Sequence, residues 1–344
     1  VSGIRIGIRC DAGPTTGVGH LVRGIALAEE LTSRGVDVVF LGDVGGVGWA
    51  ERELRERDLP LLPGPDTPAD LVAAVRDLQL SGLVVDSYTL DPSCAGAVRA
   101  FGVPVLAIVD GDIRGQEPDL FLDQNLDAEL ADVPTSVPRL AGLNYVLLRD
   151  SVRRLRPEQP KSAHAVPPKL LAFFGGTDAF GAAPVVIRLV LATGVPVDAT
   201  VVAGSEQLRK ELAQLTPGPG QELRIIDPTD RLPEHIAAAD VVVSASGTST
   251  WELLCLGAAA AMVWVVDNQW LGYERVMARG LTAGIGLLAD LADSASPAAD
   301  AAVVTLRELL STPRVRTELS TRAMAVVDGR GRERVADAFL ALLR

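Results

Sequence analysis

Short runs of Val, Ile, Leu and Ala alternate along this chain with longer stretches whose apolar residues recur at helical spacing. Runs of that kind suit strands buried on both faces, and their alternation with helices predicts βαβ units and parallel sheets. In the first half the expected strands are Ile4–Cys10, Val36–Gly42, Leu83–Asp86, Val105–Asp110, Leu120–Leu122 and Tyr145–Leu148. Between the first two, Leu21, Ile25, Ala28 and Leu31 lie on one helical face. They predict a helix over His20–Arg34 with Gly35 at its end. The pattern breaks over Ser151–Pro168, a segment rich in Arg and with prolines at 157, 160, 167 and 168, which reads as an interdomain linker. A second series follows, with strands expected at Leu170–Phe174, Ala199–Ala203, Leu223–Ile226, Val241–Ser244, Ala261–Val266 and Gly284–Leu288. Glu333–Leu343 reads as a terminal helix. The expected fold class is α/β, with two Rossmann-like domains, 1–155 and 165–344, facing a central cleft, and the terminal helix free to pack back.

The length of 344 residues suits two domains, and 48% hydrophobic residues can fill two cores. A net charge of −12 argues against non-specific binding of nucleic acid or anionic lipid. A local cluster of N–H groups can still hold an anionic ligand. Cys10, Cys94 and Cys255 form no metal-ligand spacing, and a reduced, cytoplasmic protein is expected. No basic-then-apolar leader opens the sequence, so no signal peptide is expected. The apolar run Gly257–Val266 is too short to span a bilayer.

In open parallel sheets ligands bind at the carboxyl ends of strands, and the unusual polar residues of this chain fall there. After the first strand comes Arg9-Cys10-Asp11, then Gly17-Val18-Gly19-His20 and Arg23. Gly17 and Gly19 let backbone approach a ligand, and His20 at a helix start could take a proton from water. The same residues also suit a plain Gly-rich turn with His20 on the surface. Asp86-Ser87-Tyr88 places a Tyr past a strand end, where it could bind a sugar or simply cap the sheet edge. Asp110 and Asp112 could pair on a metal, but no partner spacing supports that. Phe174-Gly175-Gly176-Thr177-Asp178 could cradle a phosphate through Gly176 and Thr177. The run from Ser244 through Ser246, Gly247, Thr248 and Ser249 to Glu252 suits a diphosphate and a ribose; Ser/Thr as an ordinary helix cap is the plainer alternative. Asn268 and Gln269 could read sugar hydroxyls. His164 in the linker and His235 on a helix receive no role.

Together these segments resemble the nucleotide-sugar hydrolases of pseudaminic acid biosynthesis and their spore-coat-polysaccharide relatives. That family is similar in fold to the glycosyltransferase B enzymes, among them the lipid II-forming N-acetylglucosaminyltransferase. The resemblance runs along most of the chain through Arg9–Asp11, Gly17–Arg23, Val85–Tyr88, Leu122–Asn125, Tyr145–Arg149, Phe174–Asp178, Gly247–Glu252 and Asn268-Gln269. It implies that His20, Tyr88 and Asn268 surround the reacting sugar. It likewise implies that Gly247, Thr248, Ser249 and Glu252 grip uridine diphosphate. The implied reaction is attack of water at the anomeric carbon with inversion and release of UDP, without metal or other cofactor. The chain departs from the family at Asp110-Gly111-Asp112, where consecutive aspartates are usual, and in the Ala-Gly-Pro opening of the loop before Gly17.

Three functions compete: a hydrolase of a UDP-linked amino-deoxysugar, a glycosyltransferase of the same fold, and a non-catalytic nucleotide-sugar binder. Lys is absent from residues 1–150 and aromatic residues are only 4%, so no lipid-facing acceptor patch is evident and water is favoured. The presence of His20 ranks the non-catalytic reading last.

Overall fold

The structure, a computed structural model, describes residues 3–13, 17–162 and 165–343. The chain divides into two compact units, Val1–Asp150 with Gly329–Arg344, and Ser151–Asp328.

The first unit is built on strands β1 (Arg5–Cys10), β2 (Asp37–Leu41), β3 (Leu61–Leu62), β4 (Gly82–Asp86), β5 (Val105–Ile108), β6 (Leu120–Asp123) and β7 (Arg139–Ala141), with helices α1 (Gly19–Ser33), α2 (Gly48–Glu56), α3 (Pro68–Asp77) and α4 (Ser93–Ala100) between them. The strands form one parallel sheet in the order β3-β2-β1-β4-β5-β6-β7. Period-two alternation sends its side chains to two cores. Val84 faces α1 with Ile6, Ile8 and Phe40, whereas Leu83 and Val85 face α3 and α4 with Leu71, Val75 and Val98. Both faces are covered, which is why the strands read as continuous apolar runs.

A short helix, α5 (Asp150–Arg153), stands where the chain passes from one unit to the next. In the second unit β8 (Lys169–Phe173), α6 (Ala182–Ala192), β9 (Val197–Val202), α7 (Glu206–Ala213), β10 (Gln221–Ile226), α8 (Leu232–Ala238), β11 (Val241–Ala245), α9 (Ser249–Cys255), β12 (Ala260–Trp264), α10 (Trp270–Ala278) and β13 (Ala283–Leu287) follow, then α11 (Leu288–Leu291), α12 (Pro297–Ser311) and α13 (Pro313–Val326). Its six strands are parallel in the order β10-β9-β8-β11-β12-β13. One face carries Val186, Ile187 and Val190 of α6 and Leu306 and Leu309 of α12 against Ala172, Val201 and Val243.

The last helix, α14 (Gly331–Ala341), belongs to the first unit. Val335, Ala336 and Phe339 enter the core under α1, and Arg332 reaches Glu29 at 2.9 Å, Glu30 at 3.2 Å and Asp150 at 2.5 Å. Gly331 fits against the backbone of Val146, where an added Cβ would lie 2.3 Å from the carbonyl oxygen.

The expected strand at Tyr145–Leu148 is not one. Leu143–Tyr145 is a 3-10 turn, and Val146–Leu148 is buried irregular chain whose Leu147 N–H is taken by the Gln124 side chain at 3.0 Å. The apolar run is there because Leu147 packs in the core; the seventh strand is Arg139–Ala141.

Each sheet reverses its winding at one place, between β1 and β4 in the first and between β8 and β11 in the second. The crevice outside the carboxyl ends of such a strand pair is where α/β sheets hold ligands.

Candidate active site

In the first unit, β1 ends at Cys10 and the chain turns through a loop pinched by Gly13 and Gly17, which exchange backbone hydrogen bonds of 3.1 and 2.9 Å. Gly17 closes it with φ +77°, a conformation side chains resist. Gly19 then opens α1, and His20 and Arg23, three residues apart, share its buried face. Neighbouring β4 ends in Asp86.

These three side chains form one cluster. The Asp86 carboxylate, 1% exposed, lies 2.6 Å from His20 Nδ1 and receives a two-pronged grip from Arg23, Nε at 2.5 Å and Nη2 at 2.6 Å. The other edge of the guanidinium holds Asp110 at 3.0 Å through both Nη1 and Nη2. The two hydrogens of Nη2 are thus spent on carboxylates, so its 3.2 Å approach to His20 Nδ1 is not a hydrogen bond. Nδ1 therefore carries a hydrogen and donates it to Asp86, so the neutral ring has its lone pair on Nε2, which has no hydrogen-bond partner among the described residues.

Burial pushes the Asp86 carboxyl upward, but Arg23 and then His20 outweigh it and hold it below the usual carboxylate range. Asp110 is lowered as well: against burial work Arg23, the Tyr88 hydroxyl and the Asn125 amide. Asn125 Nδ2 donates to Asp110 at 2.8 Å and to Asp123 at 2.9 Å. The Tyr88 hydroxyl donates to Asp110, and its ring meets the His20 ring edge to face at 4.5 Å between centroids. Arg114 ties down the Tyr88 loop by donating to the carbonyls of Ser87 and Leu90, both at 2.8 Å. The partner of Asp110 is thus an arginine, while Asp112 is exposed and accepts the Arg114 N–H at 2.8 Å. Among the described residues no group of three His, Cys, Asp or Glu side chains is arranged to hold a metal ion.

His20 and Tyr88 are therefore adjacent, with Gly17 and Gly19 in the preceding loop. Arg23, Asp86 and Asp110, noted from sequence only within their motifs or as a possible metal ligand, join them together with Asn125. The signal for Arg23 was its spacing from His20, and for Asp86 its place at a strand end.

In the second unit the residues lie on neighbouring strand ends. After β8, Gly176 and Thr177 are exposed, and Asp178 turns inward to cap α6, accepting the Ala182 and Ala183 N–H groups at 2.8 Å each. The loop presses against Gly204, where a Cβ would sit 2.4 Å from the Thr177 carbonyl oxygen. After β11, Ser246 is buried and donates its N–H to Val263 O at 2.8 Å; Gly247 is exposed, Thr248 and Ser249 are half-buried, and Glu252 is buried in the first turn of α9. After β12, Asp267–Gln269 forms a 3-10 turn with Asn268 exposed, while Gln269 Oε1 accepts the Val265 N–H at 2.9 Å and is left with its amide hydrogens. His235 lies on α8, and His164 lies outside the described residues. No helix among the described residues is long and apolar enough to cross a membrane.

No protein-family model matches the sequence, and no curated protein matches it. Solved structures do match over nearly the whole chain. MurG of Acinetobacter baumannii superposes with a TM-score of 0.68 at 16% identity, over 98% of this chain and 99% of that one. The glycotransferase of kitacinnamycin gives 0.67 at 16% identity, over 99% of both chains. UDP-GlcNAc 2-epimerase from Neisseria meningitidis, in a structure bound to UDP-GlcNAc, gives 0.65 at 12% identity, over 98% of this chain and 100% of that one. The architecture, two parallel-sheet α/β units in one chain, is of the glycosyltransferase B type.

Proposed function

We propose that this chain is an enzyme acting on a UDP-sugar, and that it hydrolyses a UDP-linked amino-deoxysugar as the pseudaminic-acid-type hydrolases do. The observation that carries the reading is the His20–Asp86 pair. A protonated Nδ1 held by an ionised, arginine-clamped carboxylate leaves Nε2 as a base. Water is a poor nucleophile at neutral pH, and a positioned base that removes its proton as it attacks the anomeric carbon typically contributes about 10²–10⁴ in rate. Asp86 orients the imidazole and steadies the imidazolium that forms, without taking the proton itself.

The nucleotide is assigned to the second unit. Gly247, Thr248 and Ser249, with Ser246 behind them, offer backbone and hydroxyl donors for the diphosphate. Gly176 and Thr177 on the neighbouring strand end extend that surface, and Glu252 takes the ribose hydroxyls. Asn268 and the amide of Gln269 are assigned to the sugar. Donors aimed at the departing diphosphate stabilise the charge that develops as the glycosidic bond breaks. What supports UDP as the nucleotide is the shared fold with the epimerase whose structure holds UDP-GlcNAc and with a structure of MnaA from S. aureus bound to UDP.

A glycosyltransferase is the second reading, favoured by the same likeness to the kitacinnamycin glycotransferase. It keeps every residue in its role and replaces water by an alcohol or amine. The experiment is incubation of the protein with UDP-GlcNAc and a panel of UDP-amino-deoxysugars, with and without such acceptors. Free UDP is followed by mass spectrometry and the anomer of the fresh product by NMR. UDP release in buffer alone, with inversion, is the expected result. Release only on adding an acceptor replaces the hydrolase by the transferase, and no release with any pair overturns both.

A further inference from the structure

We propose that Asp110 and Arg23 set Tyr88 as a hydrogen-bond acceptor toward the substrate, so that the group bound beside His20 must be a donor, a hydroxyl or amide N–H of the reacting sugar. The inference rests on the reading that the reaction takes place at His20.

A phenol has one hydrogen to give and lone pairs to offer. The hydrogen of Tyr88 is given to Asp110. The direction of that bond is not open, because Asp110 has no proton of its own: Arg23 holds it at 3.0 Å from two nitrogens, and Asn125 donates to it at 2.8 Å. Burial and the facing Asp110 carboxylate raise the Tyr88 hydroxyl well above the ordinary tyrosine range, so it does not ionise near neutral pH. Neither a free hydrogen nor a phenolate is left; only a lone pair is. Tyr88 is 56% exposed and its ring stands edge to face with the imidazole, so a ligand at His20 meets that oxygen.

The arrangement is also held from behind. One guanidinium grips the carboxylate that orients His20 and the one that orients Tyr88, and Arg114 fixes the backbone on either side of Tyr88. Arg23 and Asp110 are thus positioning residues, and Tyr88 is the group that touches substrate. A sugar bearing an ether or ester oxygen at that place would set two acceptors against each other and be rejected.

The test compares Tyr88→Phe, Asp110→Asn and the double variant, using as probe the UDP-sugar that wild type turns over best. Each single change is expected to lower kcat/KM about tenfold, the loss of one hydrogen bond at the site. UDP affinity by calorimetry should stay unchanged, and the double variant should be no worse than Tyr88→Phe. Losses that multiply in the double variant overturn the proposal. A second measurement is independent of turnover. With ring-¹³C tyrosine, the NMR signal that vanishes in Tyr88→Phe should shift in Asp110→Asn; an unmoved signal also overturns it. If wild type turns over no UDP-sugar, the functional reading falls, while the tyrosine signal still decides whether Asp110 sets Tyr88.

Discussion

His20 and Asp86 stand 66 positions apart in the chain, one on α1 and one at the end of β4, and their side chains meet at 2.6 Å. Arg23 grips the same carboxylate, so the imidazole has one permitted tautomer. In Asp86→Asn the amide can donate as well as accept, Nδ1 no longer has to carry the hydrogen, and Nε2 loses its guaranteed lone pair. Turnover is expected to fall by about 10²–10⁴, the range of general-base help. UDP affinity, measured by calorimetry, should stay near wild type. Turnover within a few-fold of wild type would reduce the pair to a structural one.

His20→Asn removes the titrating nitrogen while keeping a polar side chain. Turnover is expected to fall by the same roughly 10²–10⁴, with UDP affinity nearly unchanged. Rate and affinity falling together would move His20 from the base to the phosphate grip.

Glu252→Ala tests the second unit. If the carboxylate takes the ribose hydroxyls, its loss removes charge-assisted hydrogen bonds worth roughly 1.5–3 kcal/mol, or about 10- to 100-fold in UDP affinity. Calorimetry with UDP alone reads this out, and unchanged affinity would refute the role.

Gly204→Ala touches no polar group. The new methyl would lie under 3 Å from the backbone of Thr177 and must push the Gly175–Asp178 loop outward. UDP binding should weaken several-fold with little change in secondary structure. Tight binding retained in this variant would remove Gly176 and Thr177 from the nucleotide site.

Asp86 and Asp110 titrate in the folded protein below the usual carboxylate value of about 3.9. A depressed carboxyl contributes stability that is fully present above that value and is lost as pH falls through the folded one. Asp110→Asn should therefore be less stable than wild type at neutral pH, with the gap narrowing only once pH falls below about 3.9. Burial raises Asp178, which acts in the opposite sense but is common to both proteins; it also raises Asp123, where the Asp110 charge adds to the effect and is relieved in the variant, offsetting part of the loss. Urea unfolding at several pH values measures the gap, and a pH-independent difference would show that Asp110 acts by packing alone.

Twelve strand positions were expected from the apolar runs, and eleven of them overlap strands, because strands covered on both faces carry their signature in every residue. The signal failed where burial was incomplete. Leu61–Leu62 and Arg139–Ala141 are two and three residues long, half-buried, and sit at the two edges of their sheet. It also misled at Val146–Leu148, where the apolar residues serve packing without a ladder. Of the candidate site, the sequence signalled His20 and Tyr88, which follow Gly-rich or strand-end patterns, but not that their rings meet. The joining of Arg23, Asp86 and Asp110, each noted separately, was not legible. Arg23, Asp86 and Asp110 are joined across 63 and 87 positions by a guanidinium fork, and charge pairing at that separation has no local pattern.

The return of α14 to the first unit has a consequence for synthesis on the ribosome. Residues 151–328 form a continuous unit, whereas the core under α1 needs Val335, Ala336 and Phe339, which are translated after it. Domains usually fold in the order they emerge; here the first unit is complete only after the second has been made. A ribosome-stalled chain in which residue 328 is followed by an unstructured linker long enough to clear the exit tunnel should already resist protease over residues 151–328 while residues 1–150 are cut. Protection of both segments at that length would show that the first core closes without its final helix.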